Sequence, residues 1–465
     1  MPPRRIALII AAASFMQMLD GAIIATSLPQ MARDFGVEPL AMSVGVTAYL
    51  LASAIFMPLS AWLADRFGAV RIFLAAIAIF TIASTACGLA QDLVQFVLAR
   101  ILQGVGGAFM VPVGRLIVLR NAPKSEVIHV LALMVWPALI APVIGPTLGG
   151  AITTYFSWRI NFLINIPLGL AGFLLALLFI REGDDRKARP LDWAGFLLSA
   201  SSLALLLIGL ESMVDARNAW PFALALILGG MGLGWLAVWH LQRTAHPLLD
   251  LSAFRHRTFA LSNLFAGSYG RMSVNAMPFL LPLMFQIGLG FGPLESGALM
   301  FAYFIGNLVM KSVTTPILRL FGFRAVLVAN GIVCAASIGA CAAFVPGIPL
   351  PAIIFVLLVA GVTRSMQFTA LSSLAFAEVE PADRSSASTL VSMLQQISMV
   401  FGVAFGSLVL NLSQLARQGE TLALIDFQVA VLAVSVVALV SALLLTRLSP
   451  DAGAEISGHG LPRTP

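Results

Sequence analysis

Residues 66–71 read Arg-Phe-Gly-Ala-Val-Arg, and residues 319–324 read Arg-Leu-Phe-Gly-Phe-Arg. Each of these short basic loops follows the second long apolar segment in a block of six such segments. Repeats of this kind are typical of membrane proteins that are built from two related bundles of helices. The pair of loops therefore predicts two six-helix halves, over residues 1–180 and 258–447.

The composition requires lipid as the solvent for most of the chain. Of the 465 residues, 59% are hydrophobic and only 10% are charged, and the mean hydropathy is +0.96. A water-soluble domain of this composition would lack the polar surface that it needs. At about 20 residues per membrane crossing, the apolar segments divide into fourteen predicted helices. We therefore expect an all-α polytopic membrane protein.

Twelve predicted helices belong to the two halves, and the other two form an insertion at 192–241. Charged linkers at 181–191 and 242–257 flank this insertion. Positive charge marks the cytoplasmic side of a membrane protein. Only four of the 27 Lys and Arg residues fall at predicted external positions: Arg33, Arg159, Arg217 and Arg417. Both termini are therefore predicted to be cytoplasmic, with a disordered tail over 448–465.

Several classes of function are disfavoured by the sequence. The net charge of +6 follows from the cytoplasmic loops and does not indicate a nucleic-acid partner. The five histidines lie in or beside polar loops without metal-ligand spacing, and there is no phosphate-binding glycine loop with Lys-Ser/Thr. The three cysteines show no framework spacing. We expect a monomer without a metal, a cofactor or enzyme activity.

Five ionisable side chains interrupt the apolar segments: Asp20, Arg100, Arg271, Lys311 and Arg364. Each costs about 2.5–3.5 kcal/mol at the bilayer centre, which favours an aqueous cavity over lipid contact. With a rise of ~1.5 Å per residue, Asp20 and Arg100 lie at the same depth, ~20 Å from the inner face. We expect Asp20 to carry a coupling proton beside Arg100. A static ion pair between two helices is the alternative.

The basic residues of the second half have no acidic residue near them in the membrane segments. Asp20, in the first half, is the only carboxylate that the sequence places deep in the membrane. Arginine suits carboxylate and phosphate groups, so Arg271 and Arg364 predict a substrate with anionic groups. Asn275 and Gln367 lie one helical turn beyond them and extend this binding site. Lys311, ~5 Å deep, either joins the site or extends to the headgroups. Backbone carbonyls of broken helices, cavity water or lipid headgroups are the alternative partners of the two arginines.

Four motifs resemble those of a known family. Residues 63–68, Leu-Ala-Asp-Arg-Phe-Gly, and Arg71 belong to a loop between the second and third helices. Residues 100–107, Arg-Ile-Leu-Gln-Gly-Val-Gly-Gly, fall in the fourth helix, and 141–150, Ala-Pro-Val-Ile-Gly-Pro-Thr-Leu-Gly-Gly, fall in the fifth. Residues 158–167, Trp-Arg-Ile-Asn-Phe-Leu-Ile-Asn-Ile-Pro, begin the sixth. Together they resemble the major facilitator superfamily, and within it the fourteen-span drug:proton antiporter branch.

The resemblance implies roles for individual residues. It assigns a cytoplasmic gate to the loop residues Asp65, Arg66, Gly68 and Arg71, and proton coupling to Arg100. It assigns an antiporter motif to Pro142, Gly145, Pro146, Gly149 and Gly150. Small residues allow helices to approach closely and prolines permit bending, so this segment is either a hinge that limits leak or a packing kink. Residues 19–29 depart from the family pattern, since Ala22 and Ala25 replace a threonine and an asparagine.

The expected function is a proton-coupled exporter of small molecules that works by alternating access in the inner membrane of a bacterium. The arginines favour anionic metabolites or chelates such as carboxylates, whereas the resemblance favours lipophilic cationic drugs. A membrane receptor without transport activity is a remote alternative, because a receptor would usually carry a soluble signalling domain.

Overall fold

The computed structural model describes residues 3–123, 126–181, 190–213, 220–380 and 384–459. Every regular element in these ranges is a helix. The first half contains α1 (Pro3–Ile23), α2 (Ser43–Phe56), α3 (Ala69–Leu89), α4 (Leu93–Asn121), α5 (Val127–Tyr155) and α6 (Asn165–Phe179). The insertion contains α7 (Trp193–Ser212) and α8 (Trp220–Leu241). The second half contains α9 (Ala266–Leu283), α10 (Pro293–Phe321), α11 (Phe323–Ala340), α12 (Leu350–Leu374), α13 (Arg384–Ala416) and α14 (Leu424–Leu445).

The two repeated loops adopt the same turn. Gly68 has φ +101° and Gly322 has φ +75°, a region of backbone conformation that favours glycine because a Cβ would clash there. Gly68 stands between the short helix Leu59–Phe67 and α3, and Gly322 stands between α10 and α11. Each glycine thus reverses the chain between two helices with no other intervening residue. The internal repeat of the sequence is confirmed as a repeat of structure.

Thirteen helices of the described chain are long and apolar enough to cross a membrane, compared with fourteen in the sequence prediction. The segment outside this set is the predicted helix over 258–287. It is divided into a short helix, Arg257–Asn263, and α9, and a π-helical turn at Met284–Gly288 follows α9. The break occurs without a proline, at Leu264 and Phe265. Polar groups stabilise it, since Ser268 Oγ donates a hydrogen bond of 2.6 Å to Asn263 O.

The first and last described residues lie at one end of the bundle, here called the proximal end. Arg4 pairs with Glu126 at this end, at 3.8 Å, and His459 Nδ1 lies 3.3 Å from Arg319 O. The opposite end, which holds residues 24–42 and 284–297, is called the distal end. The main apolar core runs through both halves.

The tail was predicted to be disordered from residue 448, but its described part packs on the second half. Residues Ala454–Ser457 form a helical turn, and Ala452 and Ser457 are buried. The Phe323 ring lies against Gly453. Apolar contact therefore holds the chain as far as residue 459, and residues 460–465 lie outside the described ranges.

The inserted helices pack on each other and on the edge of the bundle. Ser202 Oγ on α7 donates a hydrogen bond of 2.8 Å to Gly230 O on α8. α7 also contacts α2 of the first half and α13 of the second half, so it lies along the seam between them. The linker residues 182–189 and the predicted external residue Arg217 lie outside the described ranges.

Asp192 ties the proximal end of the insertion together. One carboxylate oxygen accepts hydrogen bonds of 2.8 Å from Gly195 N, which caps α7, and from His240 Nε2 on α8. The other oxygen accepts a bond of 3.2 Å from Leu248 N in the second linker. Burial alone would raise the pKa of Asp192, but these hydrogen bonds outweigh it and hold the pKa below its ordinary value. A single side chain thus anchors both helices to the linker that leads into the second half.

Candidate functional site

Asp20 is the centre of a buried network in the first half. Its side chain lies on α1, and the residue is 3% exposed. Oδ2 accepts a hydrogen bond of 2.8 Å from Arg100 Nη1, and Oδ1 accepts bonds of 2.9 Å from Gln103 Nε2 and Asn165 Nδ2. The structure therefore brings Asp20 and Arg100 together, and one carboxylate joins α1 to α4 and α6.

Ser84 on α3 completes this network. Its Oγ accepts hydrogen bonds of 3.1 Å from Gln103 Nε2 and 2.7 Å from Asn165 Nδ2, and donates one of 3.1 Å to Phe162 O. The orientation of the Gln103 amide is fixed, because its Oε1 accepts a bond of 2.6 Å from Arg100 Nη1. Asn165 Oδ1 is buried and has no hydrogen-bond partner in the described part of the chain. Both amides therefore present only N–H groups to the carboxylate.

The Arg100 guanidinium is fully buried and is held from a second side by α2. Its Nε donates a hydrogen bond of 3.3 Å to Gly45 O, and its Cζ lies 4.2 Å from the centroid of the Tyr49 ring. Its Nη2 finds no hydrogen-bond partner among the described residues. An unsatisfied buried donor costs free energy, so a rearrangement that gives Nη2 an acceptor would be favourable.

The gate motif lies at the proximal end. Asp65 accepts a hydrogen bond of 2.8 Å from Arg120 Nη2, and the Arg66 guanidinium lies 5.4 Å from the centroid of a tryptophan ring in its own helix. Gly68 forms the left-handed turn described above, and Arg71 follows in the first turn of α3. The contacts described here for Asp65 and Arg66 come from the first half.

The glycines of the antiporter motif lie where α5 crosses α1. A Cβ at Gly145 would lie 2.6 Å from the Cβ of Ala22, and a Cβ at Gly149 would lie 2.8 Å from Ile23 O. These distances are too short for any side chain, so glycine is required for the close approach. α5 remains helical through its internal prolines, including Pro142.

The same segment of α5 contacts the second half at the distal end. A Cβ at Gly150 would overlap Pro293 O, and a Cβ at Gly297 would overlap Pro146 O. Thr147 Oγ1 also donates a hydrogen bond of 3.0 Å to Gly297 O. The reciprocal pairing of a glycine on each helix with the backbone of the other packs α5 tightly on α10.

Gln286 extends this contact between the halves. Its Nε2 donates a hydrogen bond of 2.9 Å to Thr26 O at the end of α1, and its Oε1 accepts one of 3.3 Å from Gln30 Nε2. Gln286 belongs to the π-helical turn that follows α9. The two halves are therefore joined at the distal end by backbone packing and by amide hydrogen bonds.

Arg271 is fully buried at the helix break. Its Nη1 donates a hydrogen bond of 3.1 Å to Ser262 O, and its Nη2 donates one of 3.1 Å to Asn263 Oδ1. Ser262 lies in the last turn of the short helix, where carbonyls lack helical partners. The hydrogen bonds of Arg271 thus match the alternative in which a broken helix supplies the acceptors.

Arg364 on α12 is half-buried and lies against α9 and α10. Its Nε donates to Val274 O and its Nη2 to Asn275 Oδ1, both at 3.3 Å. Its Cζ lies 5.8 Å and 5.7 Å from the ring centroids of Tyr303 and Phe304. The predicted residues Arg364 and Asn275 therefore form one group, with aromatic faces beside the cation.

Lys311 on α10 is also half-buried, and its charge and that of Arg364 repel each other. In the described ranges no carboxylate oxygen lies within 4.0 Å of either cation. Gln367 instead accepts a hydrogen bond of 2.9 Å from Asn330 Nδ2 on α11. Of the predicted substrate residues, a hydrogen bond joins Arg364 and Asn275, whereas Arg271 and Gln367 make their described hydrogen bonds elsewhere.

The sequence predictions assigned no role to several residues of the Asp20 network. Gln103 lies three residues after Arg100 and so shares its helical face, a signal that was available. Ser84 and Tyr49 come from other helices, and no spacing connects them to the carboxylate. Glu211, a carboxylate to which the sequence predictions also gave no role, lies in the last turn of α7, where Thr47 Oγ1 donates a hydrogen bond of 2.9 Å to it.

Comparison with known proteins gives the family. A family model described as Major Facilitator Superfamily matches residues 10–297 and 261–464. The first match covers the first half and the insertion, the second covers nearly all of the second half, and the two overlap over residues 261–297, which include most of the broken helix.

Curated relatives match most of the chain. A protein of Klebsiella pneumoniae (strain 342) is 37% identical over 410 residues, which cover 87% of this chain and 85% of the relative. A protein of Salmonella paratyphi A (strain ATCC 9150 / SARB42) is 37% identical over 420 residues, covering 87% and 86%. Both carry the provisional name multidrug resistance protein MdtD.

The fold is also that of solved transporters. The crystal structure of the POT family transporter PepTSo superposes with a TM-score of 0.69 at 14% identity, covering 98% of this chain and 99% of that one. The likeness establishes the architecture of two related bundles. With the family model and the curated relatives, it places the chain in the major facilitator superfamily as a multi-pass secondary transporter of the bacterial inner membrane.

Proposed function

We propose that this chain is a proton-coupled exporter of small molecules, with Asp20 as the proton carrier and Arg100 as its electrostatic partner. The observation that carries the proposal is the Asp20 network itself. A carboxylate and a guanidinium buried together inside a membrane protein are costly. Their retention is accounted for if the carboxylate gains and loses a proton during transport.

The proposed orientation places the proximal end in the cytoplasm. It rests on the distribution of Lys and Arg along the chain. With this orientation, the close packing of α5 on α10 closes the external side. A substrate would then bind from the cytoplasm and leave when the distal contacts open.

Proton binding has a direct structural consequence in this scheme. Three N–H donors face the Asp20 carboxylate, two at Oδ1 and one at Oδ2, so a proton on Oδ1 has to replace a donor, whereas Oδ2 keeps one acceptor site for it. Asn165 offers a simple adjustment: half a turn of its amide would present the unpartnered Oδ1 to the new O–H group. Release of Arg100 from the ion pair is the other adjustment. The unpartnered Nη2 favours it, because a moved guanidinium could find an acceptor for that group.

α1 connects this proton site to the contacts that join the two halves at the distal end, here called the distal closure. Asp20 lies six residues before Thr26, which is ~9 Å along a helix, and Thr26 O binds Gln286 of the second half. Between them, Ala22 and Ile23 contact the glycines of α5. A shift of α1 on protonation would therefore reach both contacts that hold the halves together.

For the substrate we propose an anionic metabolite or chelate such as a carboxylate. Arg364 and Lys311 repel each other and have no described acid partner, so an anion would relieve both charges at once. Arginine forms paired hydrogen bonds with a carboxylate. Arg271 is assigned a structural role in this proposal, because its described bonds hold the helix break.

A lipophilic cation is the second candidate substrate. The multidrug resistance name of the 37% identical relatives favours it, and the rings of Tyr303 and Phe304 offer apolar surface. The cationic group beside these rings opposes it, because a cation site normally provides carboxylates. A direct comparison of the two classes decides between them.

The coupling role predicts a specific defect for Asp20→Asn. The amide cannot carry the coupling proton, so uptake driven by a pH gradient into inside-out vesicles should fall at least about a hundredfold, the lower end of the typical contribution of a proton-transfer group. Radiolabelled succinate, citrate and ethidium are the test substrates. Asp451→Asn, at an exposed position of the tail, is the matched control. Gradient-driven uptake that survives in Asp20→Asn would leave only the static ion pair.

The substrate class is tested by Arg364→Gln in the same vesicles. Loss of a charged hydrogen-bond partner should reduce succinate or citrate uptake by roughly tenfold or more, with ethidium uptake unaffected. Arg115→Gln, which removes an exposed charge from α4, should change neither. If wild-type protein carries ethidium but no carboxylate, the anion proposal is wrong and the lipophilic cation replaces it.

The distal closure is tested by Gly150→Ala. The added Cβ would overlap Pro293 O, so the variant should favour the state in which α5 and α10 separate. Gln286→Cys provides a reporter at the closure, and its reaction with an impermeant maleimide added to whole cells should rise several-fold. Gly172→Ala is the control, since a Cβ at Gly172 meets no atom within 4 Å. Equal labelling of both variants would contradict the assignment of this contact as the external gate.

A further inference from the structure

A cleft of about 730 Å³ lies between the inserted helices and the first half. Its walls come from α2, α4, α7 and α8, and they are mostly aliphatic or aromatic. It opens to the outer surface of the bundle, where Ile208 and Phe222 are 50% and 61% exposed. This cleft is therefore accessible from the lipid, and it is separate from the group around Arg364.

The cleft has one polar end. Of its described lining residues, Glu211 is the one with an ionisable side chain, and it lies in the last turn of α7, near the distal end. Thr47 Oγ1 donates a hydrogen bond of 2.9 Å to Glu211 Oε1. Ile55 and Phe56 lie two to three turns further along α2, toward the middle of the membrane. The cleft thus combines a carboxylate at one end with a long apolar wall.

The chemistry of this wall selects the charge of a ligand. A carboxylate among apolar side chains is stabilised by a cationic partner, provided that this cation loses little hydration free energy when it enters the cleft. An anionic or polar ligand would lose hydration against the aliphatic walls without gaining a partner, and a phosphate headgroup would be repelled by Glu211. A protonated amine on an apolar body satisfies both ends, because its N–H groups donate to the carboxylate and its chain lies along α2.

We propose that the cleft binds an amphiphilic ammonium ion from the outer part of the bilayer, with the ammonium group on Glu211 and the apolar body against α2 and α7. The site is distinct from the proposed transport site and does not depend on the direction of transport. It gives the insertion a function that the two six-helix halves do not provide, since two walls of the cleft are α7 and α8.

The position of the cleft also connects it to the proton site. α2 presents Thr47 to Glu211, and from the same turns it presents Gly45 O and the Tyr49 ring to Arg100. One helix therefore separates the bound ammonium ion from the buried ion pair. An occupant that shifts α2 would alter the support of Arg100.

The test is equilibrium binding to the purified full chain in phosphatidylcholine nanodiscs. Radiolabelled dodecylamine is the probe, dodecanol is its uncharged counterpart, and empty nanodiscs give the background from partition into lipid. Wild-type protein should bind dodecylamine saturably, about tenfold or more tightly than dodecanol, because only the amine pairs with the carboxylate.

Two variants locate the site. Glu211→Gln keeps an oxygen that accepts from Thr47 but removes the charge, so it should weaken dodecylamine binding about tenfold and leave dodecanol unchanged. Ala204→Phe fills the cleft and should abolish saturable binding. Glu38→Gln removes an exposed carboxylate at the distal end and should behave as wild type.

Each contrary outcome overturns the proposal. Equal affinity for dodecylamine and dodecanol would mark a groove for lipid chains without charge selection. Tight dodecylamine binding that persists in Glu211→Gln or in Ala204→Phe would place the amine elsewhere. The comparison of amine with alcohol on wild-type protein remains decisive if a variant fails to assemble.

Discussion

The Asp20 carboxylate binds a guanidinium and two amides that come from two other helices, and most of the first half is arranged around this contact. Arg100 lies between Asp20 and α2, and Ser84 on α3 holds the amides of Gln103 and Asn165 in place. A charge in this position is tolerated only while its partners surround it. The packing of α1 on α4 and α6 therefore depends on the hydrogen bonds of one carboxylate.

Close packing of small residues provides the second constraint. α5 contacts α1 through Gly145 and Gly149, and it contacts α10 through Gly150. Two adjacent faces of one helix thus join the element that carries Asp20 to the other half of the molecule. Contacts between backbone atoms have no rotamers to adjust, so such an interface is either closed or separated. This property suits a gate that alternates between two states.

The second half uses its charges differently from the first. Arg271 donates to acceptors at a helix break, whereas Arg364 shares a half-buried region with Lys311 and aromatic rings. The insertion adds a third kind of site, in which Glu211 lies in an apolar cleft. The described cations of the second half and the carboxylate of Glu211 thus lie in separate parts of the molecule.

Sequence was sufficient for the features that depend on composition and local order. The apolar segments, the repeated loops around Gly68 and Gly322, and the shared depth of Asp20 and Arg100 follow from hydropathy, turn chemistry and helical rise. Gln103 was also within reach, because it follows Arg100 by three residues. The ninth helix was predicted as continuous over 258–287, since no proline lies at Leu264 and Phe265, and Gly267, where a Cβ would overlap Ser262 O, was not read as a sign of the break.

Tertiary structure alone decided which side chains meet. Ser84, Asn165 and Tyr49 approach the ion pair from three other helices, and the sequence contains no spacing that relates them. The same is true of Arg271, which a depth calculation places in a cavity but whose donors turn to Ser262 O and Asn263. Hydropathy and helical rise fix how deep a residue lies in the membrane, whereas the rotation and packing of each helix fix whether it faces a partner, lipid or a cleft.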